Sequence, residues 1–211
     1  LPGLAAELSG LARLRSSHPG EDGSERLLVE LADGQTIESV LLPRDGLCVS
    51  TQVGCAVGCV FCMTGRDGLL RQVDSAEIVA QVVLARARRP VKRVVFMGMG
   101  EPLANYRAVV NAVRRLTDPA PAGLGMSARG VTVSTVGLVP RINDLANEGI
   151  PCTLALSLHA PDDDLRNELV GADFIAEMLA GERVLGCGQR FRVPGQVESF
   201  AESLEQRALD G

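Results

Sequence analysis

Three cysteines fall within eight residues, at Cys55, Cys59 and Cys62, on a stretch that also carries Gly54 and Gly58. Thiols this crowded cannot easily bridge one another, because a disulfide needs two Cα atoms about 4.4–6.8 Å apart with converging Cβ vectors. Glycines let the backbone fold closely around a metal instead. Two metal readings follow. The x3, x2 spacing suits an iron–sulfur cluster held by three thiolates, with one iron left open for a substrate's own donors. Zinc is the alternative, with Cys48 as fourth ligand. Further along, Gly98-Met99-Gly100-Glu101-Pro102 follows an apolar run, and there a carboxylate can hold a cationic amino group. Ser134 and the triplet Ser157-Leu158-His159 close two more apolar runs.

These residues need elements to carry them. Residues 27–31 and 37–42 are apolar and branched around Asp33-Gly34, which predicts a hairpin over 25–43. Strands are then predicted at 47–51, 91–97, 131–134 and 153–158, alternating with helices at 75–88, 106–116 and 139–148. Residues 165–179 read as one or two further helices. Repeated βα units make a parallel sheet or barrel, and every unusual polar residue falls just after a strand, at the rim where such barrels do their chemistry. The fold class is therefore α/β, a partial barrel of about four parallel strands preceded by a β-hairpin. Its divisions are an N-terminal helix and hairpin extension over 1–45, a core over 46–170 and a short C-terminal segment over 171–211. With the barrel incomplete, the edge after 153–158 is expected to be open and available for a dimer contact.

The stretches LCVSTQVGCAVGCVFCMTG, VVFMGMGEPLANY, VTVSTVGLVP and ALSLHAPDDDLRNELV, with Phe61 directly before the third cysteine, resemble the radical S-adenosylmethionine superfamily. More narrowly they are similar to the adenine carbon-2 methyltransferases of ribosomal and transfer RNA, relatives of the carbon-8 methylases. The resemblance runs over 25–170. It implies a 4Fe-4S cluster on Cys55, Cys59 and Cys62, and S-adenosyl-L-methionine held by Gly100, Glu101, Ser134, Ser157, Leu158 and His159. It also implies that Cys187, in Gly186-Cys187-Gly188-Gln189, takes a methyl group from one S-adenosylmethionine. A 5′-deoxyadenosyl radical from a second molecule then takes a hydrogen from that methyl, and the carbon adds to adenine. Glu38 would remove the ring proton, and Cys48 would free the product by a transient disulfide with Cys187. Such enzymes draw electrons from a donor such as flavodoxin or ferredoxin. This chain departs from the family in length, since 171–182 joins directly to the Cys187 motif where relatives continue through more barrel. That departure leaves a catalytically impaired variant as the rival reading.

Composition sets the remaining bounds. At 211 residues and 46% apolar content the chain can bury a substantial core. A formal net charge of -5 opposes nonspecific coating of nucleic acid, so contact with RNA should be local. Arg86, Arg88, Arg89, Lys92 and Arg93 form a basic run, read first as a solvated face and second as a phosphate contact. With 3% aromatics, few rings are available to stack on bases. No apolar run approaches the ~18 residues of a membrane span, and Glu7 interrupts the opening stretch, so the expected location is cytoplasmic. The chain opens at Leu1 rather than methionine, which points to a longer N-terminus. Cys152 matches no motif and reads as a buried structural thiol.

Overall fold

The computed structural model describes residues 8, 10–160, 163–170 and 190–192. In chain order the strands and helices begin with β1 (Ala12–Pro19), β2 (Glu25–Leu31), β3 (Thr36–Leu42), β4 (Gly46–Cys48), β5 (Gln52–Gly54), β6 (Leu69–Gln72) and helix α1 (Ser75–Arg86). They continue with β7 (Arg93–Phe96), α2 (Tyr106–Thr117), β8 (Val131–Thr135), α3 (Val139–Asn147), β9 (Thr153–Leu156), α4 (Asp163–Leu169) and β10 (Arg190–Arg192).

One eight-stranded sheet runs in the order β1-β2-β3-β4-β7-β8-β9-β10, with β5 and β6 as a separate hairpin. Strands β4, β7, β8 and β9 are parallel, the four that the βα alternation predicts. One face of the sheet is dry. Leu27, Val29, Ile37, Leu41, Leu47, Val94, Phe96, Val131, Val133 and Leu154 share a single buried core with Ile78 and Val82 of α1 and Val109 and Val113 of α2. Helix α1 starts where Asp74 and Glu77 exchange side-chain and backbone hydrogen bonds, a capping box that satisfies two otherwise orphaned donors. On the other face the register aligns Val40 with Cys48, Cys48 with Val95, Val95 with Thr132, and Ser134 with Ala155. Because side chains alternate along a strand, Glu38, two residues before Val40, points to this second face too.

Three expectations change. The N-terminal extension is three-stranded: β1 pairs with β2 around an irregularity between Leu14 and Ser16. Its alternation of Ala12 and Leu14 with Arg13 and Arg15 is too short and too basic to stand out as a strand. Of the expected N-terminal helix, only Leu8 is described as helical. The edge after β9 is not open, since Arg190–Arg192 pair antiparallel with Ala155, Leu154 and Thr153, which removes the reason for a dimer contact there. Helix α4 begins near the acidic start expected, while 171–179 lies outside the described residues.

The basic run is spent on contacts within the chain. Arg88 pairs with Glu25 and Lys92 with Asp45 at 2.8 Å. Arg89 donates to the carbonyls of Gly23 and Leu42, and Arg93 to that of Arg44. These contacts tie the antiparallel extension to the parallel strands, at the end of the sheet away from the rim.

Candidate active site at the strand ends

The cysteine loop is a protrusion closed at its base by β5 and β6. Gly54 takes φ +77, and a Cβ there would stand 2.1 Å from the Gly68 carbonyl, so glycine is required where the hairpin pinches. Cys55 N–H donates to that same carbonyl at 3.0 Å, and Cys62 N–H to the Cys59 carbonyl at 3.0 Å. All three thiols are half-buried. Burial pushes the Cys55 and Cys59 thiols up; the charges of Glu101 and then Cys62 push Cys55 further, and those of Cys62 and Cys55 push Cys59. The three sulfurs therefore sense one another, and a bound cation would reverse the sign of that effect and favour thiolate.

This donor set fits a cluster. Three thiolates share one loop whose outer residues Val60, Phe61 and Met63 are exposed. It does not favour the zinc alternative. That alternative needs Cys48 as its fourth ligand, and Cys48 lies buried within β4 rather than on the loop.

The loop leans over the rim. Cys55 and Cys59 pack beside Val57, Val136, Leu156 and Val170, immediately beyond β8 and β9, and Val60 N–H donates to Leu169 at the end of α4. The Phe61 ring meets His159 with centroids 5.1 Å apart. His159 has φ 65, and its imidazole sits below the ordinary histidine range through partial burial of the ring and then the charge of Arg166. Beside it, the hydroxyls of Ser134 and Ser157 are 3.2 Å apart, and Leu158 accepts from Ala160 N–H at 2.8 Å.

Glu101 sits at the centre of the arrangement, 3% exposed. One carboxylate oxygen accepts from Leu103 N–H at 2.9 Å and the other from Val136 N–H at 2.9 Å. Burial raises its pKa and these amides pull it back. Each carboxylate oxygen keeps a second lone pair, so an ammonium group can still be accepted. Replacing Glu101 with Gln turns one acceptor into a donor facing an amide, and a cost of about 1–3 kcal/mol is expected from urea unfolding.

Glu38 and Cys48 belong to the same neighbourhood. Glu38 N–H meets Met99 Sδ at 3.3 Å, and its half-exposed carboxylate pairs with Arg26 at 3.3 Å. Cys48 is buried, and desolvation pushes its thiol from 9.0 up to about 11. Below pH 9 both folded and unfolded chains hold this proton. Above it the unfolded chain ionises first, so the contribution of Cys48 to stability declines from pH 9 and is lost by about pH 11, a drop of roughly 3 kcal/mol. Unfolding free energy measured from pH 8 to 11 should therefore fall more steeply in the native chain than in Cys48→Ala. Cys187 lies outside the described residues.

Four polar residues that the sequence reading passed over hold the site together. Gln81, fully buried in α1, accepts from Ser39 Oγ and Ser50 N–H at 2.9 Å each and donates to the Ser50 carbonyl. Ser50 Oγ accepts from Met99 N–H at 2.8 Å and donates to the Glu38 carbonyl. Gln52 accepts from Glu101 N–H at 2.9 Å and donates to Gln72 on β6. Asn105 donates to the carbonyls of Thr51 and Val73. Their signal in the sequence is a lone amide inside an apolar run, as in Ile-Val-Ala-Gln-Val-Val at 78–83. Arg71 adds a forked pair, with both terminal nitrogens on Glu77 at 2.8 and 2.9 Å, fastening β6 to α1.

Residues 49–183, from the end of β4 through the rim motifs, match the Radical SAM superfamily. The chain belongs to the radical SAM superfamily. It is 60% identical over 191 residues to a probable RNA methyltransferase of Azoarcus sp. (strain BH72), covering 90% of this chain and 53% of that protein. It is 59% identical over 183 residues to a probable dual-specificity RNA methyltransferase RlmN of Nocardioides sp. (strain ATCC BAA-499 / JS614), covering 81% and 47%. A radical SAM methyltransferase crystal structure from Sphaerobacter thermophilus superposes with a TM-score of 0.71 at 45% identity, over 81% of this chain and 53% of that one. The chain thus spans about half the length of the relatives it matches. Among the described residues no helix is long and apolar enough to cross a membrane.

Proposed function

We propose that this chain carries the cluster and cosubstrate site of a radical S-adenosylmethionine RNA methyltransferase that acts on carbon-2 of an adenosine in ribosomal or transfer RNA. The observation that carries the reading is the docking of the cysteine loop on the ends of β8 and β9, beside Glu101, Ser134 and Ser157. Cys55, Cys59 and Cys62 would hold a 4Fe-4S cluster, which supplies one electron to S-adenosylmethionine. The rest falls to the chain's own residues. Gly100, Glu101, Ser134, Ser157, Leu158 and His159 hold the cosubstrate, its ammonium against Glu101 and its polar groups against the paired hydroxyls. Cys187 accepts a methyl group as a thioether, and Glu38 takes the adenine ring proton. Cys48 as thiolate attacks the Cys187 sulfur, forming the disulfide as the S–C bond breaks, with the bonding pair leaving on the adenine-bound carbon, which takes a proton to become methyl.

Two features support those last roles. Glu38 and Cys48 share the face of the sheet that continues to Ser134. Arg190, three residues after Cys187, pairs with Ala155, two residues before Ser157, and three residues reach about 10 Å at full extension. The raised pKa of Cys48 means that it attacks only as it gives its proton to a base. Electrons come from a flavodoxin- or ferredoxin-like donor, and the work is cytoplasmic.

The test is anaerobic reconstitution with iron and sulfide analysis, then S-adenosylmethionine and dithionite. A 4Fe-4S absorption band, 5′-deoxyadenosine release and methylation of ribosomal or transfer RNA fragments are expected. A second reading is favoured by the direct junction of 171–182 to the Cys187 motif, where the family resemblance implies more barrel: a chain that binds the cluster and cosubstrate without methylating RNA. Release of 5′-deoxyadenosine without methylated adenosine selects it. Stoichiometric zinc, or no metal at all, sinks both.

A further inference from the structure

We propose that the open face of β1, β2 and β3 is the track along which the RNA backbone reaches the rim, an inference that rests on the RNA reading above. The opposite face of these strands is already used, since Leu27, Val29, Ile37 and Leu41 are buried in the core with α1. The open face is continuous with the site. Reading across the register, Ser16 lies beside Leu28 and Leu28 beside Glu38, while His18 lies beside Arg26, Arg26 beside Val40, and Val40 beside Cys48. Three strand spacings of about 4.8 Å therefore lead from the β1 edge to Cys48, roughly 14 Å in all.

Charge on this face is positive where a ligand would touch it. Arg13 and Arg15 converge on the single carboxylate of Glu30, with side chains 74% and 60% exposed against 17% for the glutamate. Arg26 is 55% exposed against 44% for Glu38. The guanidinium groups stand proud of the carboxylates, and exposed pairs of this kind contribute little to stability, so they can exchange a carboxylate for a phosphate without cost to the fold. Half-buried Leu28 and Val40 lie between the charges as an apolar floor for a sugar or base. The stronger basic run in the sequence lies at the other end of the strands, where its contacts are with Glu25, Asp45 and backbone carbonyls away from the rim.

The experiment is fluorescence anisotropy with a fluorescein-labelled, adenosine-containing single-stranded RNA over a series of KCl concentrations. Three variants of the full chain are compared with the native protein: R13Q/R15Q/R26Q, the charge-keeping R13K/R15K/R26K, and K92Q/R93Q/R129Q, which removes the same charge at the opposite end of the strands. The first should bind more weakly, with a log–log salt slope shallower by about 2, since each phosphate contact on a single strand contributes about 0.7. The lysine triple should keep the native slope, and the distal triple should keep both slope and affinity. Absence of salt-dependent binding by the native chain, or equal weakening in the two glutamine triples, would overturn the proposal. Release of 5′-deoxyadenosine needs no RNA and is measured in parallel. Binding that depends on this face in a chain releasing none would sink the catalytic reading and leave the track standing.

Discussion

Cys59→Ala protein reconstituted with iron and sulfide under anaerobic conditions is expected to show no 4Fe-4S absorption and to release no 5′-deoxyadenosine. The loss should be complete rather than partial. A cluster that keeps one iron open has only three protein ligands, and the described residues hold no spare thiol at the loop: Cys48 is buried in β4 and Cys152 is 1% exposed beside β9. The fold should survive, because Cys59 lies at the tip of a protrusion whose base is held by Gly54, Gly68 and Arg71. Circular dichroism and urea unfolding of the metal-free variant should match the metal-free native chain. A variant that retains the band would show that these cysteines do not carry the cluster.

Gly100→Ala should unfold at a markedly lower urea concentration than the native chain. Gly100 has φ +98, outside the range where an L side chain is comfortable, and an added Cβ would sit 2.5 Å from Gln52 Cβ. Gln52 is fully buried and cannot step aside. The backbone penalty of about 1–2 kcal/mol and overpacking of about 1–3 kcal/mol together predict a loss of about 2–5 kcal/mol. That is a large share of the stability of an ordinary domain. Urea unfolding of the metal-free protein measures it, and a midpoint unchanged from native would show that the Met99–Glu101 turn can relax. Because Gln52 also accepts from Glu101 N–H and bonds to Gln72, the same change should displace the cysteine hairpin and slow 5′-deoxyadenosine release.

The four parallel strands were legible because each is a short branched run between amphipathic helices, and the rim residues because each polar group follows such a run directly. Strand β1 was not, since Arg13 and Arg15 interrupt it and its partner is set by β2 rather than by its own pattern. The β5–β6 hairpin was hidden for a related reason: Gln52 and Gln72 are polar and their bond forms only when the cysteine loop closes between them. In the site, residue types were readable but their commitments were not. Glu101 reads as a carboxylate wholly free for a ligand, whereas the fold already engages one lone pair of each oxygen with backbone amides from two different loops. The basic run reads first as a solvated face and second as a phosphate contact, whereas its side chains are engaged by partners far back along the chain at Gly23, Glu25, Leu42 and Asp45.

The bond from Val60 N–H to the Leu169 carbonyl sets a clock on biosynthesis. Leu169 is made 109 residues after Val60, and at about 5–20 residues per second that interval lasts roughly 5–20 s. Once β6 has been made, 12 residues after Val60, the hairpin and its three cysteines wait for helix α4, which fastens the tip of their loop. A metal that reaches the growing polypeptide would meet a loop free at its tip, whereas in the finished protein the same loop is held there by a hydrogen bond to α4.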